Sequence, residues 1–480
     1  MKHKINALIL KFRIKGISCN SHEIKPNSAF FAIKGEKFDG NAFIDEAFAK
    51  GALIVFTDNP LMAQSDKIIF LANIRLGLAL AAEILYSTIP KNLIAVTGTN
   101  GKSSVVSYIH QILSLLGKTS ACIGTLGLET NMSIDDLSMQ QNSGLTTGDP
   151  VTLRKYLNTL EQHGVENVAL EASSHGLAQY RLGEIKFKSA AFISFSQDHL
   201  DYHGSMEKYL DAKLSLFTNN LSSKGEAVIS SDIEKLDLIE NFFITNNISY
   251  FTVGKTGNMA IINNCHNIGG QEISFLFLNQ EYKFITDIIG SFQAVNLLIA
   301  AKLVYNLGIN FDSIVKVLPK LRPVCGRLQR VTELTSDCQV FVDYAHTPDA
   351  LEKSLTELRL LKPGNSKLYV VFGCGGDRDA SKRPVMGKIA ASIADHVIIT
   401  DDNPRTEDAD KIRQEIFVCA PNAKIVGDRY KAIVDTINSL NKGDILLIAG
   451  KGHENYQIIG TQTNEFSDIA VAKFASKNKM

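Results

Sequence analysis

Residues 93–117, LIAVTGTNGKSSVVSYIHQILSLLG, constrain the fold more than any other stretch of the chain. The β-favouring or apolar run Ile94, Ala95, Val96 leads into Gly98. Val105, Ile109, Ile112, Leu113 and Leu116 then recur at helical spacing up to Gly117. The reading is strand, glycine loop, helix. Bare N–H groups at a helix N-terminus attract anions, glycines let the main chain close on a phosphate, and a lysine adds a point charge. Gly98, Thr99, Asn100, Gly101, Lys102, Ser103 and Ser104 are therefore a candidate phosphate loop, with the Ser103 hydroxyl placed to hold Mg²⁺. Only Thr99 and Asn100 stand between the two glycines, fewer than a Walker A motif requires, so the loop alone leaves open a plain glycine turn into an ordinary helix.

A chain of 480 residues exceeds what one hydrophobic core serves, so several domains are expected. Its 50 basic and 50 acidic side chains cancel, which gives no electrostatic reason to expect nucleic acid or an anionic membrane surface as partner. The start, MKHKINALILKFRIK, offers six uncharged residues before Lys11, too few for a signal peptide. The longest apolar candidate, IIFLANIRLGLALAAEILY, carries Arg75 and Glu83 and reads as a core-facing helix. Seven cysteines, odd in number and never spaced C-x-x-C, indicate neither a disulfide framework nor a zinc site and suit a reducing cytoplasm.

Residues 1–89 hold short β-like runs (AFFAIKG, ALIVFTD) around a helix near FIDEAFAKG, a small α/β unit. From residue 90 the alternation lengthens: NVALEASS and SAAFISFS read as buried strands, and SMEKYLDAKLSLF as a helix capped by Ser205. GEAVISS, ISYFTVG, EISFLFLN and EYKFITDI suggest an antiparallel appendage before the helix QAVNLLIAAKLVYNLG. Residues 323–480 supply five strand candidates, QVFVDYA, KLYVVFGCGG, ADHVIITDD, AKIVG and DILLIAGKG, separated by helix-length stretches. Such alternation predicts a parallel sheet covered on both faces, with ligands beyond the carboxyl ends of its strands. DYAHTP, GCGGDRD, DDNPR and GKGHE all follow strand candidates and would line one crevice. The fold class is thus α/β in three domains, 1–89, 90–322 and 323–480.

In the middle unit Glu171 ends one strand candidate and His199 follows another, so a carboxylate and an imidazole could converge near bound phosphates. Asp198, His199, Asp201 and His203 resemble a metal cluster, but in an extended segment neighbours would point to opposite faces, which favours His199 alone.

Taken together, TGTNGKSS, LTTGDP, EASSHGLAQYRLG, DHLDYHGSMEKYLDAKLSLF, CGRLQ, DYAHTPDALE, GCGGDRDASKRPVMG, DDNPR and GKGHE resemble, in order and over nearly the whole chain, the three-domain Mur ligases of peptidoglycan synthesis. The resemblance implies a small nucleotide-sugar-binding domain, a central P-loop-type ATPase domain with a mostly parallel sheet, and a Rossmann-like C-terminal domain. It implies an ATP-dependent amide ligase in which the γ-phosphate activates the D-glutamate side-chain carboxylate of a UDP-N-acetylmuramoyl dipeptide, and an amine then attacks the acyl phosphate. Lys102, Lys213, Glu171 and His199 become the expected catalytic residues, with Ser103, Glu171 and His199 around Mg²⁺. Lys213, which the sequence alone reads as a solvated helix lysine, matches the family's carbamylated lysine. Asn296, Arg327, Asp343 and His346 match ATP contacts, and Ser21, Thr146, Thr147, Ser173, Gln179 and Arg181 match positions that hold the UDP-muramoyl peptide. Two positions depart from the family pattern: Asn20-Ser21-His22 replaces Asp-Ser-Arg, and Gln293 replaces an asparagine.

DDNPR bears on the amine substrate. Meso-diaminopimelate differs from lysine by a carboxylate at its far end, which an arginine fork suits, and by resemblance DNPR marks the diaminopimelate adders. Arg378, Asp402, Asn403, Arg405, Gly450 and Glu454 are the residues expected around it. The remaining expectations are small-molecule partners only, no nucleic acid, no membrane, and a monomer.

Overall fold

The computed structural model describes residues 1–35, 38–63, 65–134, 145–267, 269–331 and 338–478. They form a mixed α/β fold in three domains, each built on a sheet. The first sheet has four parallel strands in the order β1-β2-β3-β4: β1 (Gly16–Ser18), β2 (Ser28–Ala32), β3 (Ala52–Thr57) and β4 (Ile68–Phe70). The stretch expected as one helix from Ile68 is divided. Its first residues pair with β3, and the helix Ile74–Leu85 starts only where the Asn73 side chain accepts from Leu76 N.

The central sheet is built from β5 (Asn92–Thr97), β6 (Ser120–Gly124), β7 (Gly127–Thr130), β8 (Asn167–Glu171), β9 (Phe187–Phe192), β10 (Leu221–Ser230), β11 (Tyr250–Gly254), β12 (Met259–Asn267), β13 (Gly270–Phe277) and β14 (Gln280–Thr286). They run in the order β14-β13-β12-β11-β10-β9-β5-β8-β6-β7. Period-two alternation explains their apolar content: Leu93 and Ala95 enter one core layer, Ile94 and Val96 the opposite one. The expected antiparallel appendage is instead a continuation of this sheet. β10 and β11 pair parallel, with the helix Leu236–Thr245 as the crossover that parallel neighbours need; β12 also pairs parallel with β11, and in this part of the sheet only β12, β13 and β14 form an antiparallel meander.

The third sheet contains the five expected strands, β16 (Gln339–Asp343), β17 (Leu368–Phe372), β18 (His396–Ile399), β19 (Lys424–Ile425) and β20 (Ile445–Ala449), all mutually parallel. An antiparallel edge strand, β15 (Gln329–Val331), completes the order β15-β16-β20-β17-β18-β19. Beneath it Arg429 Nε and Nη2 each donate at 2.7 Å to the two carboxylate oxygens of Asp468, with both side chains fully buried. No described helix is long and apolar enough to cross a membrane.

Candidate active site

β5 ends in the glycine loop, and the helix Lys102–Leu115 begins at Gly101, whose φ of 86° is a left-handed conformation that suits glycine. At Gly98 a Cβ would come within 2.7 Å of Ile193 Cγ1, so the loop lies directly against the chain leaving β9. Lys102 Nζ curls back to donate to the carbonyls of Gly98 (2.9 Å) and Thr99 (2.8 Å). Burial lowers its pKa, opposed by Glu171 and Asp198.

Lys213 is 1 % exposed, so the solvated reading that the sequence alone gives it is corrected. It lies on the inner face of the helix Met206–Asn219, whose start Ser205 caps as expected by accepting from Lys208 N. Its Nζ donates to Gly98 O at 2.8 Å and sits 4.4 Å from the Tyr209 ring centroid. Burial first, then the neighbouring Lys102 charge, pulls its pKa well below the ordinary lysine value.

Glu171, at the end of β8, is buried, and its carboxylate accepts from Thr125 N (2.8 Å) and the Thr125 hydroxyl (3.2 Å). A Cβ at Gly124 would lie 2.0 Å from Glu171 Oε1, so only glycine admits the carboxylate there. His199 has φ 55° and precedes the short helix Leu200–His203, so the segment is not extended. Its Nε2 lies 3.3 Å from Asp198 Oδ2, and burial favours its neutral form. Among the described residues no group of three His, Cys, Asp or Glu side chains forms a preassembled metal cage.

Thr147, Ser173, Gln179 and Arg181 converge. Thr147 Oγ1 donates to Glu171 O (2.8 Å) and accepts from Ser173 N (2.8 Å), while Arg181 donates to Thr147 O (2.6 Å) and Gln179 Oε1 (2.9 Å). Thr146 joins through its hydroxyl, 3.0 Å from that of Thr125. Ser21, in the first domain, donates to Glu46 (3.2 Å). The departure at Gln293 preserves a support: its Oε1 accepts from Asn296 Nδ2 (3.1 Å) and Tyr108 OH (3.2 Å), holding Asn296 beside Gly101.

The third domain closes over this loop. Arg327 Nη2 donates to Ser103 Oγ at 2.9 Å, with its guanidinium 4.4 Å from the Tyr344 ring centroid. Asn100 Nδ2 donates to Asp349 Oδ2, also at 2.9 Å. Asp343 accepts from Leu328 N, Tyr344 N and Ser354 Oγ, so its carboxylate is spent on shaping the loop that carries Arg327; burial raises its pKa. His346 Nδ1 lies 2.8 Å from Tyr344 O, and burial depresses its pKa to about 4.

The four polar strand ends of the third sheet do meet. Asn403 Nδ2 donates to Glu454 Oε2 (3.0 Å), and Arg405 Nη1 donates to Gly376 O (2.9 Å). A Cβ on Gly450 would meet Asp402 Oδ2 at 2.5 Å. Arg378 is exposed, within electrostatic reach of His175 and Tyr456.

The residues fit a nucleotide and Mg²⁺. Two amines, those of half-buried Lys102 and buried Lys213, donate to carbonyl oxygens of the loop that opens a helix, a setting that favours an anion. Ser103 and Glu171 carry the hard oxygen donors that magnesium prefers and could hold such an ion beside bound phosphates.

Residues 13–94 match the Mur ligase family catalytic domain, residues 96–304 the Mur ligase middle domain, and residues 326–452 the Mur ligase glutamate ligase domain. The chain belongs to the Mur ligase family. Among its Mur ligase relatives is the UDP-N-acetylmuramoyl-L-alanyl-D-glutamate–2,6-diaminopimelate ligase of Rickettsia montanensis, 50% identical over 476 residues that cover 98% of each chain. The enzyme of the same name from Zymomonas mobilis is 41% identical over 97% of this chain and 95% of its own. A solved structure of a ligase with this name superposes with a TM-score of 0.67 at 31% identity, covering 96% of this chain and 94% of that one. The fold extends to the Mur ligase MurF of Thermotoga maritima, solved in complex with ADP, with a TM-score of 0.63, 19% identity and 98% of each chain covered.

Sequence reasoning passed over several residues of this Mur ligase site. Thr125 anchors Glu171, Asp349 accepts from Asn100 of the expected loop and so links two domains, and Lys451, fully buried, donates to Asn403 Oδ1 (3.1 Å) and Glu454 Oε2 (3.0 Å). Lys451 was discoverable, since it is the one cation inside GKGHE; Thr125 lies in no motif and carries no comparable signal.

Proposed function

We propose that this chain is an ATP-dependent, ADP-forming ligase that adds meso-diaminopimelate to the D-glutamate side-chain carboxylate of UDP-N-acetylmuramoyl-L-alanyl-D-glutamate, a step of peptidoglycan precursor synthesis. The observation that carries the reading is Arg405. Its Nη1 is tied to Gly376 O, in one crevice with Asn403, Glu454 and Lys451, which leaves the other edge of the fork for a carboxylate. Full-length relatives bearing the diaminopimelate ligase name support it.

In this reading Gly98–Ser104 bind the ATP phosphates, with Asn296 near the adenine and Arg327 and His346 on the nucleotide side. Thr146, Thr147, Ser173, Gln179, Arg181 and Ser21 hold the UDP-muramoyl peptide. A carboxylate is inert to amines because oxide is a poor leaving group; phosphorylation supplies a good one. The diaminopimelate amine then attacks the acyl phosphate through a tetrahedral intermediate and phosphate departs. Lys102 and Arg327 neutralise charge on the transferred group, and the closed domains keep water out. Ser103, Glu171 and His199 would hold Mg²⁺, which supplies charge neutralisation at the phosphates. Lys213, whose pKa burial lowers, is suited to react with CO₂; its carbamate would organise the metal side. The domain limits 1–89, 90–322 and 323–480, a monomeric state and a cytoplasmic location belong to the same reading.

The deciding experiment offers purified protein ATP, Mg²⁺, the UDP-muramoyl dipeptide, and diaminopimelate and lysine in competition. Amide product with diaminopimelate and stoichiometric ADP is expected; nucleotide consumption without a new amide rejects the proposal.

A further inference from the structure

Tyr209 is the fully buried aromatic ring where three parts of the site meet, and neither the motifs nor the reaction as described gives it a part. It is 1 % exposed and lies four residues before Lys213, so both side chains leave the same face of the helix Met206–Asn219. Its hydroxyl is 3.1 Å from Thr99 Oγ1 in the glycine loop. Thr99 Oγ1 is also within 3.1 Å of Ser196 O and accepts from Ser196 N at 3.1 Å, so the loop hydroxyl is held from the chain leaving β9 and, through a hydrogen bond in which either hydroxyl can donate, from Tyr209. One edge of the ring thus grips the loop. Its face closes off one side of Lys213 Nζ at 4.4 Å, while Gly98 O holds the amine from another at 2.8 Å. The ring also stands 6.3 Å from that of His199 and 5.2 Å from that of His203, and stacks on Phe195 at 5.4 Å.

We propose that Tyr209 is a positioning residue for phosphoryl transfer: through one hydroxyl and one ring face it keeps the glycine loop and the Lys213 amine in a single register. Adjacent loop residues, Gly98 and Thr99, are held by side chains one helical turn apart, so a shift of the loop relative to the helix breaks both contacts at once. Tyr209 touches no reacting atom and acts through Thr99 and Lys213. The link to phosphoryl transfer rests on the function proposed above; the grip on the loop does not.

Two variants separate the two contacts. Tyr209→Phe keeps the ring and removes the hydroxyl, and Tyr209→Leu removes both. For Tyr209→Phe, ADP affinity measured by titration calorimetry is expected to weaken roughly fivefold, as for the loss of one hydrogen bond, and kcat to fall by a similar or larger factor. KM for diaminopimelate and the thermal midpoint should stay at wild-type values. In Tyr209→Leu, incorporation of ¹³CO₂ at Lys213, read by NMR of the protein alone, should drop as well, while Tyr209→Phe retains it. Wild-type ADP affinity and kcat in Tyr209→Phe would overturn the proposal, and so would a fall in every constant together with the thermal midpoint, the mark of a merely structural role. If wild-type protein makes no amide while Tyr209→Phe still weakens ADP binding, the functional reading fails and the grip on the loop stands.

Discussion

Arg327 Nη2 and Ser103 Oγ are 2.9 Å apart, a hydrogen bond that joins the entry to the third domain to the first turn of the phosphate-loop helix. The hydroxyl expected to serve a cation is thus held by a guanidinium from another domain, itself seated 4.4 Å from the Tyr344 ring centroid. In the function proposed above, nucleotide bound with Mg²⁺ would compete for this hydroxyl, and Arg327 would then be free for the phosphates. Arg327→Ala is therefore expected to lower kcat/KM for ATP by roughly 10- to 100-fold, as for loss of a charge-assisted contact, with KM for diaminopimelate little changed. Steady-state kinetics with each substrate varied in turn checks this.

Arg405→Ala should act on the other substrate. Its Nη1 is fixed by Gly376 O, and a lysine side chain would leave the rest of the fork desolvated without a partner. kcat/KM for diaminopimelate should fall by roughly 100-fold or more while the ATP parameters hold. Equal losses for both substrates would reject the assignment.

Lys213→Ala should be nearly inactive. Recovery on adding short-chain carboxylates is the result that assigns a carbamate to this position, and undiminished activity removes it. Burial and Lys102 lower the pKa of Lys213, so an uncharged amine is available to CO₂ well below the pH an exposed lysine would need.

Stability should decline as pH drops from about 6.5. Burial depresses His346 to about 4 and His453 to about 3, so both are neutral in the folded chain where the unfolded chain already binds protons. Unfolding takes up those protons, and stability is lost progressively from the unfolded value down to the folded ones. Asp343 and Glu454, raised by burial, work in the opposite direction, so single variants isolate the histidine contribution. His346→Asn and His453→Asn should each narrow the gap between urea midpoints at pH 7 and pH 5; an unchanged gap rules out this origin.

Arg429→Met should destabilise the protein by about 3–5 kcal/mol, because the buried Asp468 carboxylate loses its bidentate partner. Arg429→Met with Asp468→Leu should recover much of that loss, measured by denaturant unfolding.

Elements whose local signals agree with their tertiary setting were legible in the sequence. β5 with its glycine loop, the Ser205 cap and the five parallel strands of the third sheet each carry a periodicity or a cap that packing does not override. Ile68–Phe70 could not be told from the helix that follows, because a short apolar run has no period of its own and its strand character comes from pairing with β3. The parallel pairing of β10 and β11 depends on which neighbour the chain finds in space. Within the site, motifs pointed to the residues but not to their surroundings. Nothing in DAK announces that Lys213 is buried, since that follows from the glycine loop folding over the helix, and Thr125 becomes visible only through the carboxylate it holds.

A single oxygen atom, that of the Gly98 carbonyl, receives both the Lys102 amine at 2.9 Å and the Lys213 amine at 2.8 Å. Its two lone pairs are then fully subscribed. An anion that draws Lys102 outward frees one of these berths, and a covalent change at Lys213 would free the other. Idle and working forms of the loop can thus differ by an exchange of hydrogen-bond company alone, with no refolding, and until that exchange the carbonyl shelters the buried Lys213 amine away from water.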